Sequence, residues 1–300
     1  MNAVLAMPVV SPSVSIASSA VLIRLKVGVW TARKKDKEVS NEVDADKGTR
    51  VRAGNYNKHI LPDTAELDAI QTHASATRNW LNTVTSPWDD SGARLLPTAS
   101  ALEITDELNR RTTEFYALVD DLVRVYGTKI QAAQFNLGAL FKIDDYPSAD
   151  QVRAKFYMER EFLPVPQSGA FRVDIGHEGN ELLRQEFQAA SDKYIANALR
   201  SNWDRLFNTL TVLSRQLGSY DNKGEGKRAG GIHESVLENA LELCSVLKAL
   251  NITNDPDLEQ MRKDLQMTLQ GVEVKELRKD AAVRDGVKAE IDALLSKFDF

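Results

Sequence analysis

The chain has 300 residues, of which 43% are hydrophobic and 27% are charged, and this composition excludes an intrinsically disordered protein. The formal net charge of -5 is unfavourable for binding nucleic acid through the overall field of the protein, although it leaves room for a local basic patch. With a single cysteine, Cys244, the chain can form neither an intrachain disulfide bond nor a multi-cysteine zinc site.

Residues 1–20 are rich in small and apolar side chains. A secretory signal peptide begins with a basic region, but no basic residue precedes Arg24 here, and Pro8 and Pro12 interrupt the apolar run. We therefore expect a flexible amino-terminal tail and a protein of the cytoplasm. No apolar run in the sequence reaches the about 18 residues that a membrane-spanning helix requires.

Residues 21–29 alternate between apolar side chains and polar or small ones. This period of two predicts a β-strand, which ends at Trp30. Two more extended segments are predicted at residues 162–166 and 171–175. Paired with the first strand, they would form a small antiparallel sheet of two or three strands.

Most of the remaining sequence has apolar residues at every third or fourth position, which is typical of amphipathic helices. A long helix that begins near Ser100 is expected to end at Gly127. The charged run 33–38 predicts a short solvated helix. Residues 48–62 and 89–97 are predicted to be loops.

The longest helical pattern spans residues 178–217, and its second half carries an apolar stripe. We call this set the interaction stripe, and it consists of Trp203, Leu206, Leu210, Leu213 and Leu217. The apolar residues of the first half are offset from it, which indicates two packed faces rather than a continuous coiled-coil seam. So long a helix must bury its stripe against other helices of the chain or against another subunit.

We predict a mainly α (α+β) fold, an elongated bundle of long amphipathic helices with a small antiparallel sheet. Residues 218–231 are polar and rich in glycine, and they predict a flexible linker. The expected organisation is a tail at 1–20, a helical domain at 21–217, this linker, and a carboxy-terminal helical segment at 232–300.

One local excess of basic residues could serve as a nucleic-acid surface. Its members are Arg33, Lys34, Lys35, Lys37, Arg50, Arg52 and Lys58. Trp30 and Tyr56 lie among them and could stack on bases. The interpretation that we favour is a basic surface that faces the acidic remainder of the protein, because acidic residues follow this run at once.

A metal site has one candidate set, formed by His177 with Asp144 and Asp145, whose nitrogen and oxygen atoms could bind a divalent cation. Ordinary local structure also explains the two aspartates. Aspartate is common in turns, and this pair directly precedes Tyr146-Pro147. We predict no catalytic residue and no cofactor, and the sequence does not decide whether a metal ion binds.

Several short motifs occur together in the first two thirds of the chain. They are the strand that ends at Trp30, Asn57-Lys58, Pro87-Trp88, Arg94-Leu95-Leu96-Pro97, Leu137-Gly138-Ala139-Leu140-Phe141, Asp145-Tyr146-Pro147-Ser148, Pro164-x-Pro166 and Phe171-Arg172-Val173. Over residues 20–180 this combination resembles an uncharacterised protein family of tailed bacteriophages and prophages. Genes of that family often lie beside genes for MoxR-type AAA+ ATPases and for von Willebrand-type or cobalt-chelatase-like partners. The resemblance implies an accessory role with an ATPase, and it assigns no role to any residue.

The helical patterns and the lack of catalytic motifs favour a non-enzymatic protein, and the resemblance implies a phage protein of the infected host's cytoplasm. It is expected to act through helix-mediated protein interaction, as a homo-oligomer or as a partner of an AAA+ ATPase. The first alternative is a nucleic-acid-binding protein of phage DNA metabolism that uses the basic region 24–58. The second alternative is a metal-dependent hydrolase built around the His177 set.

Overall fold

The computed structural model describes residues 16–166, 177–220 and 232–298, and it confirms a mainly helical α+β fold with a small antiparallel sheet. None of the helices in these ranges combines the length and the apolarity that crossing a membrane requires.

The chain divides into two compact units. Unit 1 comprises Met1–Arg24, Leu81–Ile104 and Glu161–Phe300, and unit 2 comprises Leu25–Trp80 and Thr105–Arg160. This division differs from the expected one, because residues on both sides of the predicted linker belong to unit 1.

The α-helices of the described residues are α1 (Lys37–Asp46), α2 (Ala65–Val84), α3 (Ala101–Leu137), α4 (Ala149–Arg153), α5 (His177–Ser219), α6 (Glu234–Leu250), α7 (Pro256–Leu269), α8 (Val274–Lys279) and α9 (Ala281–Leu295). The strands are β1 (Ala20–Gly28), β2 (Arg33–Asp36), β3 (Tyr56–His59), β4 (Ser86–Pro87), β5 (Ala93–Pro97) and β6 (Tyr157–Leu163).

Two sheets organise the strands. A four-stranded sheet has the order β4-β5-β1-β6, and β2 pairs with β3 in a separate two-stranded ribbon. The alternating segment 21–29 forms β1, which runs antiparallel to β5 with Ala20 opposite Pro97. The strand expected at 162–166 begins earlier, at Tyr157, whereas the strand expected at 171–175 lies outside the described residues.

Two segments are more regular than the sequence predicts. Residues 93–97 form β5 instead of a loop, because both leucines of this segment bury their side chains. Helix α3 passes through Gly127 and continues to Leu137, since buried side chains on both sides of this glycine outweigh its cost of about 1 kcal/mol. Gly138 follows the last residue of this helix, and its φ of 49° is a left-handed conformation typical of a helix end.

The charged run 33–38 is part strand and part helix. Residues 33–36 form β2, which pairs with β3 inside the predicted loop 48–62. The helix begins at Lys37, because the Asp36 carboxylate accepts hydrogen bonds from the first free N–H groups of α1.

In unit 1 the interaction stripe forms one side of the main hydrophobic core. All five stripe side chains are buried, and Leu206 and Leu210 are fully so. They pack with buried side chains of α6, α7, α8 and α9, including the thiol of Cys244. Within the described chain, the partners of the stripe are therefore helices of the same chain.

Hydrogen bonds join the sheet to α5 and α6 within unit 1. Asn202 of α5 is buried, and its side-chain oxygen accepts a hydrogen bond of 3.0 Å from the Ser86 hydroxyl of β4. Its amide donates to the Leu250 carbonyl at the end of α6, at 3.3 Å. These bonds hold β4, α5 and the last turn of α6 together around one buried side chain.

Unit 2 has its own core. Phe115, Val119 and Leu122 of α3 pack against the apolar face of α2, where Ile70 and Ala74 are fully buried.

The predicted tail and linker are described only in part. Residues 1–15 and 221–231 lie outside the described residues. Ile16 and Ala20 are buried, so the last residues of the predicted tail belong to the fold. Helix α5 likewise includes Gly218 and Ser219 from the start of the predicted linker.

Leu206→Asp is expected to destabilise the protein strongly, because it places a carboxylate where a leucine is 0% exposed. Truncating a core leucine alone costs about 2 to 5 kcal/mol, so the melting temperature should fall by more than about 5 °C. Val212→Asp, at a partly exposed position of the same helix, is the matched control and should melt near the wild type. Thermal unfolding followed by circular dichroism measures both. Equal melting of the two variants would show that the stripe is not buried.

Candidate functional site

A groove of about 780 Å³ opens in unit 1 between α5, α6 and the hairpin of β4 and β5. We call it the arginine groove, because Arg94 and Arg205 are among its lining residues. Its other lining side chains are mainly amides, hydroxyls and two carboxylates, among them Asn82, Asn208, Asn239, Thr209, Asp204 and Glu242. The volume lies within the range typical of ligand-binding pockets in proteins.

Arg94 projects from β5 towards the carboxyl end of α2. Its Nε donates a hydrogen bond of 2.6 Å to the hydroxyl of Thr85, and its Nη2 donates to the carbonyl oxygens of Asn82 and Thr85 at 3.1 and 2.9 Å. Carbonyl groups at a helix end have no partner within the helix, so this guanidinium acts as a cap.

Arg205 reaches the same carbonyl groups from α5. Its Nη1 donates to the Thr83 oxygen at 2.9 Å, and its Nη2 donates to the oxygens of Asn82 and Thr85 at 2.7 and 2.6 Å. The two guanidinium groups thus share two acceptors, which places two positive charges side by side at the groove.

No carboxylate of the described chain forms an ion pair with Arg94 or Arg205. Burial and, to a smaller extent, the nearby charge of Arg205 together lower the pKa of Arg94 to about 10. Burial also lowers the pKa of Arg205. Both groups still carry a charge at neutral pH. An anion in the groove would therefore offset the free-energy cost of their desolvation and of their mutual repulsion.

The predicted nucleic-acid residues are all in unit 2, and all but one are exposed. Arg33, Lys34 and Lys35 lie on β2, and Lys34 is 3.8 Å from Asp145. Lys37 opens α1, and Arg50 and Arg52 lie in the segment before β3. Lys58 differs, since it is 3% exposed.

Lys58 is the centre of a buried ion cluster. Its Nζ lies 2.9 Å from Oδ2 of Asp36 and 2.8 Å from Oδ2 of Asp145, and it donates to the Leu140 carbonyl at 2.7 Å. Burial opposes the charged form of Lys58, but the hydrogen bonds to the two carboxylates outweigh it and raise its pKa. In turn, the hydrogen bond from Lys58 lowers the pKa of Asp36. Lys58 is therefore part of the interior and not of the basic surface.

The structure describes only part of the predicted metal set. Asp145 faces Lys58 and Lys34, and the side chain of His177 lies outside the described residues. No group of three or more histidine, cysteine or acidic side chains in the described ranges is placed to hold a metal ion.

Sequence reasoning missed the two arginines of the groove. A usable signal was present, since Arg94 precedes two buried leucines in a strand and Arg205 lies between Trp203 and Leu206 of the interaction stripe. A cation in such an apolar context is expected to need a partner for its charge.

Comparison with protein-family models, with curated proteins and with solved structures finds no match to this chain.

Lys58→Met is expected to lower the stability of unit 2 by about 3 to 5 kcal/mol at pH 7, because it leaves two carboxylates without their buried cation. Lys35→Met, at an exposed position of the same ribbon, is the control and should change stability little.

The difference between wild type and Lys58→Met should also narrow in acid. The pKa of Asp36 in the folded protein lies below its ordinary value of 3.8, so its stabilising contribution is present above that value and is lost as the pH falls through the lowered pKa. Urea unfolding between pH 7 and pH 2.5 measures this difference. A difference that stays constant or widens in acid would contradict the assignment of the effect to this cluster.

Proposed function

We propose that the chain is a non-enzymatic interaction protein whose docking surface is the arginine groove and whose partner offers an acidic segment. One observation carries this proposal: two partly buried guanidinium groups line a groove and have no carboxylate partner in the described chain. Removing a cation from water is costly unless an anion or hydrogen bonds compensate for it. An acidic side chain of a partner would accept charge-assisted hydrogen bonds from these guanidinium groups.

The walls of the groove suit a protein ligand. Helices α5 and α6 provide two sides, and exposed Asn208 and Asn239 can bond to the backbone of a bound segment. The contact would thus be mediated by helices, although not by the interaction stripe, which lies in the core.

The partner that we propose is a second copy of this chain or an AAA+ ATPase of the MoxR type. The chain contains 43 acidic residues against 38 basic ones, so a second copy has acidic segments to offer. The resemblance to tailed-phage proteins supports the ATPase, a phage or prophage origin and a role in the cytoplasm of the infected host.

Asn239→Trp is designed to fill the groove, because Asn239 is exposed on α6 and lines it, so the fold should tolerate the change. Ser245→Trp, exposed on the same helix outside the groove, is the matched control. Light scattering of each protein, alone and mixed with a MoxR-type ATPase, gives the mass of the complexes. We expect self-association or ATPase binding in wild type and Ser245→Trp and its loss in Asn239→Trp. Equal masses of wild type and Asn239→Trp in every mixture would contradict the proposal.

Nucleic-acid binding is the second candidate, and one observation favours it. On the ribbon, Arg33 lies opposite His59 and Lys35 lies opposite Asn57, and all four are exposed. No carboxylate of the described chain pairs with either of these cations. Such a face suits the phosphate backbone of DNA.

Charge reversal separates this candidate from the first. In the double variant Arg33→Glu and Lys35→Glu, any salt-dependent DNA affinity should fall at least about tenfold, since each phosphate contact contributes to the salt-dependent term. The double variant Lys275→Glu and Lys279→Glu makes the same charge change at exposed positions of α8 and should keep the affinity. Fluorescence anisotropy with labelled DNA at low and high salt measures the effect. Equal loss of DNA affinity in both double variants would show that the affinity depends on the overall charge of the protein and not on the ribbon.

A further inference from the structure

The geometry points to a carboxylate site in the arginine groove, where Arg94 and Arg205 bind one acidic side chain of the bound segment. This inference rests on the proposed function, because it specifies the chemistry that anchors the segment. It names a ligand group, a monoanionic carboxylate, and it separates this group from a phosphate.

Each of the two guanidinium groups keeps free donors for an anion. Arg94 and Arg205 together donate six hydrogen bonds to the segment 82–85. Since one guanidinium carries five N–H groups, four N–H groups of the pair keep no acceptor in the described chain. Those of Arg94 are both on Nη1, and those of Arg205 are on Nε and Nη1. The free N–H groups of one planar guanidinium point in different directions, so a carboxylate accepts one N–H group from each arginine, one on each oxygen.

The bonds already made hold these donors in place before any ligand arrives. The Thr85 hydroxyl that accepts from Arg94 is itself buried and donates to the Leu81 carbonyl at 2.5 Å. Arg205 is fixed by three carbonyl acceptors. A ligand therefore gains its hydrogen bonds without ordering two long side chains, which is one of the entropic costs of such contacts.

The charge of the groove favours a monoanion over a dianion. Asp204 and Glu242 line the same groove, so its four charged side chains have no net formal charge. A carboxylate adds one negative charge to this balance, whereas a phosphate monoester adds nearly two and meets more repulsion from the resident carboxylates.

The test uses three fluorescein-labelled octapeptides in which alanine alternates with glutamate, glutamine or phosphoserine. Anisotropy is measured with the full-length protein and with Asn239→Trp and Ser245→Trp. We expect the glutamate peptide to bind wild type and Ser245→Trp at least about tenfold more tightly than the glutamine peptide, because it alone forms charge-assisted bonds. The phosphoserine peptide should bind no more tightly than the glutamate peptide. Asn239→Trp should bind neither charged peptide.

Two further variants address the anchor directly. Arg94→Gln should weaken the glutamate peptide at least about tenfold, and the fold should persist, because the Asn82 and Thr85 oxygens still accept bonds from Arg205. Glu242→Gln should bind the glutamate peptide about two to three times more tightly, because a like charge is removed. Glu238→Gln is its control, since Glu238 is exposed on α6 outside the groove.

The outcomes that overturn the inference differ from those that overturn the proposed function. Tighter binding of the phosphoserine peptide, or equal binding of the glutamate and glutamine peptides, with loss in Asn239→Trp, would leave the groove as a docking surface and reject the carboxylate site. Absence of binding by all three peptides, or equal binding by Asn239→Trp, would reject both.

Discussion

Burial of the apolar face of α5 is the constraint on which unit 1 depends. One face of this helix meets α6, α7, α8 and α9, so these four helices complete their shared core by packing on it. The same helix also has an electrostatic requirement, because it carries the charged Arg205 one residue before a fully buried leucine. The helix that buries this apolar face therefore also places the guanidinium of Arg205 at the edge of the core, where it donates to the backbone carbonyls of residues 82–85.

The architecture was predictable where a single local pattern decided it. The alternation at 21–29 and the stripe of α5 identify β1 and a buried helix face correctly, because burial follows side-chain periodicity. Residues 33–38 show the limit of such patterns. Six charged side chains suggest a helix, but Asp36 both caps α1 and binds Lys58, and that partner is 22 residues away in the sequence. Long-range pairing made β2 and β3, and no local pattern encodes it.

The groove was beyond prediction for the same reason. Its cations come from β5 and α5, 111 residues apart, and meet only because the hairpin and the helix share the carbonyls of residues 82–85. Sequence could mark each arginine as unusual in its apolar setting, but not that the two would lie together. The basic residues near the amino terminus show the reverse case, since proximity in sequence did not keep Lys58 on the surface that Arg33 and Lys35 share.

Because Arg94 and Arg205 share two acceptors, the capping of those two carbonyl groups at this end of α2 is redundant. The oxygens of Asn82 and Thr85 each accept one hydrogen bond from Arg94 and one from Arg205, so the loss of either arginine leaves both carbonyls satisfied. Substitutions at the two positions should then be non-additive, with the first tolerated and the second costly. Such redundancy separates folding from recognition. Either arginine can drift during evolution and change what the groove binds, while its neighbour preserves the structure that forms the groove.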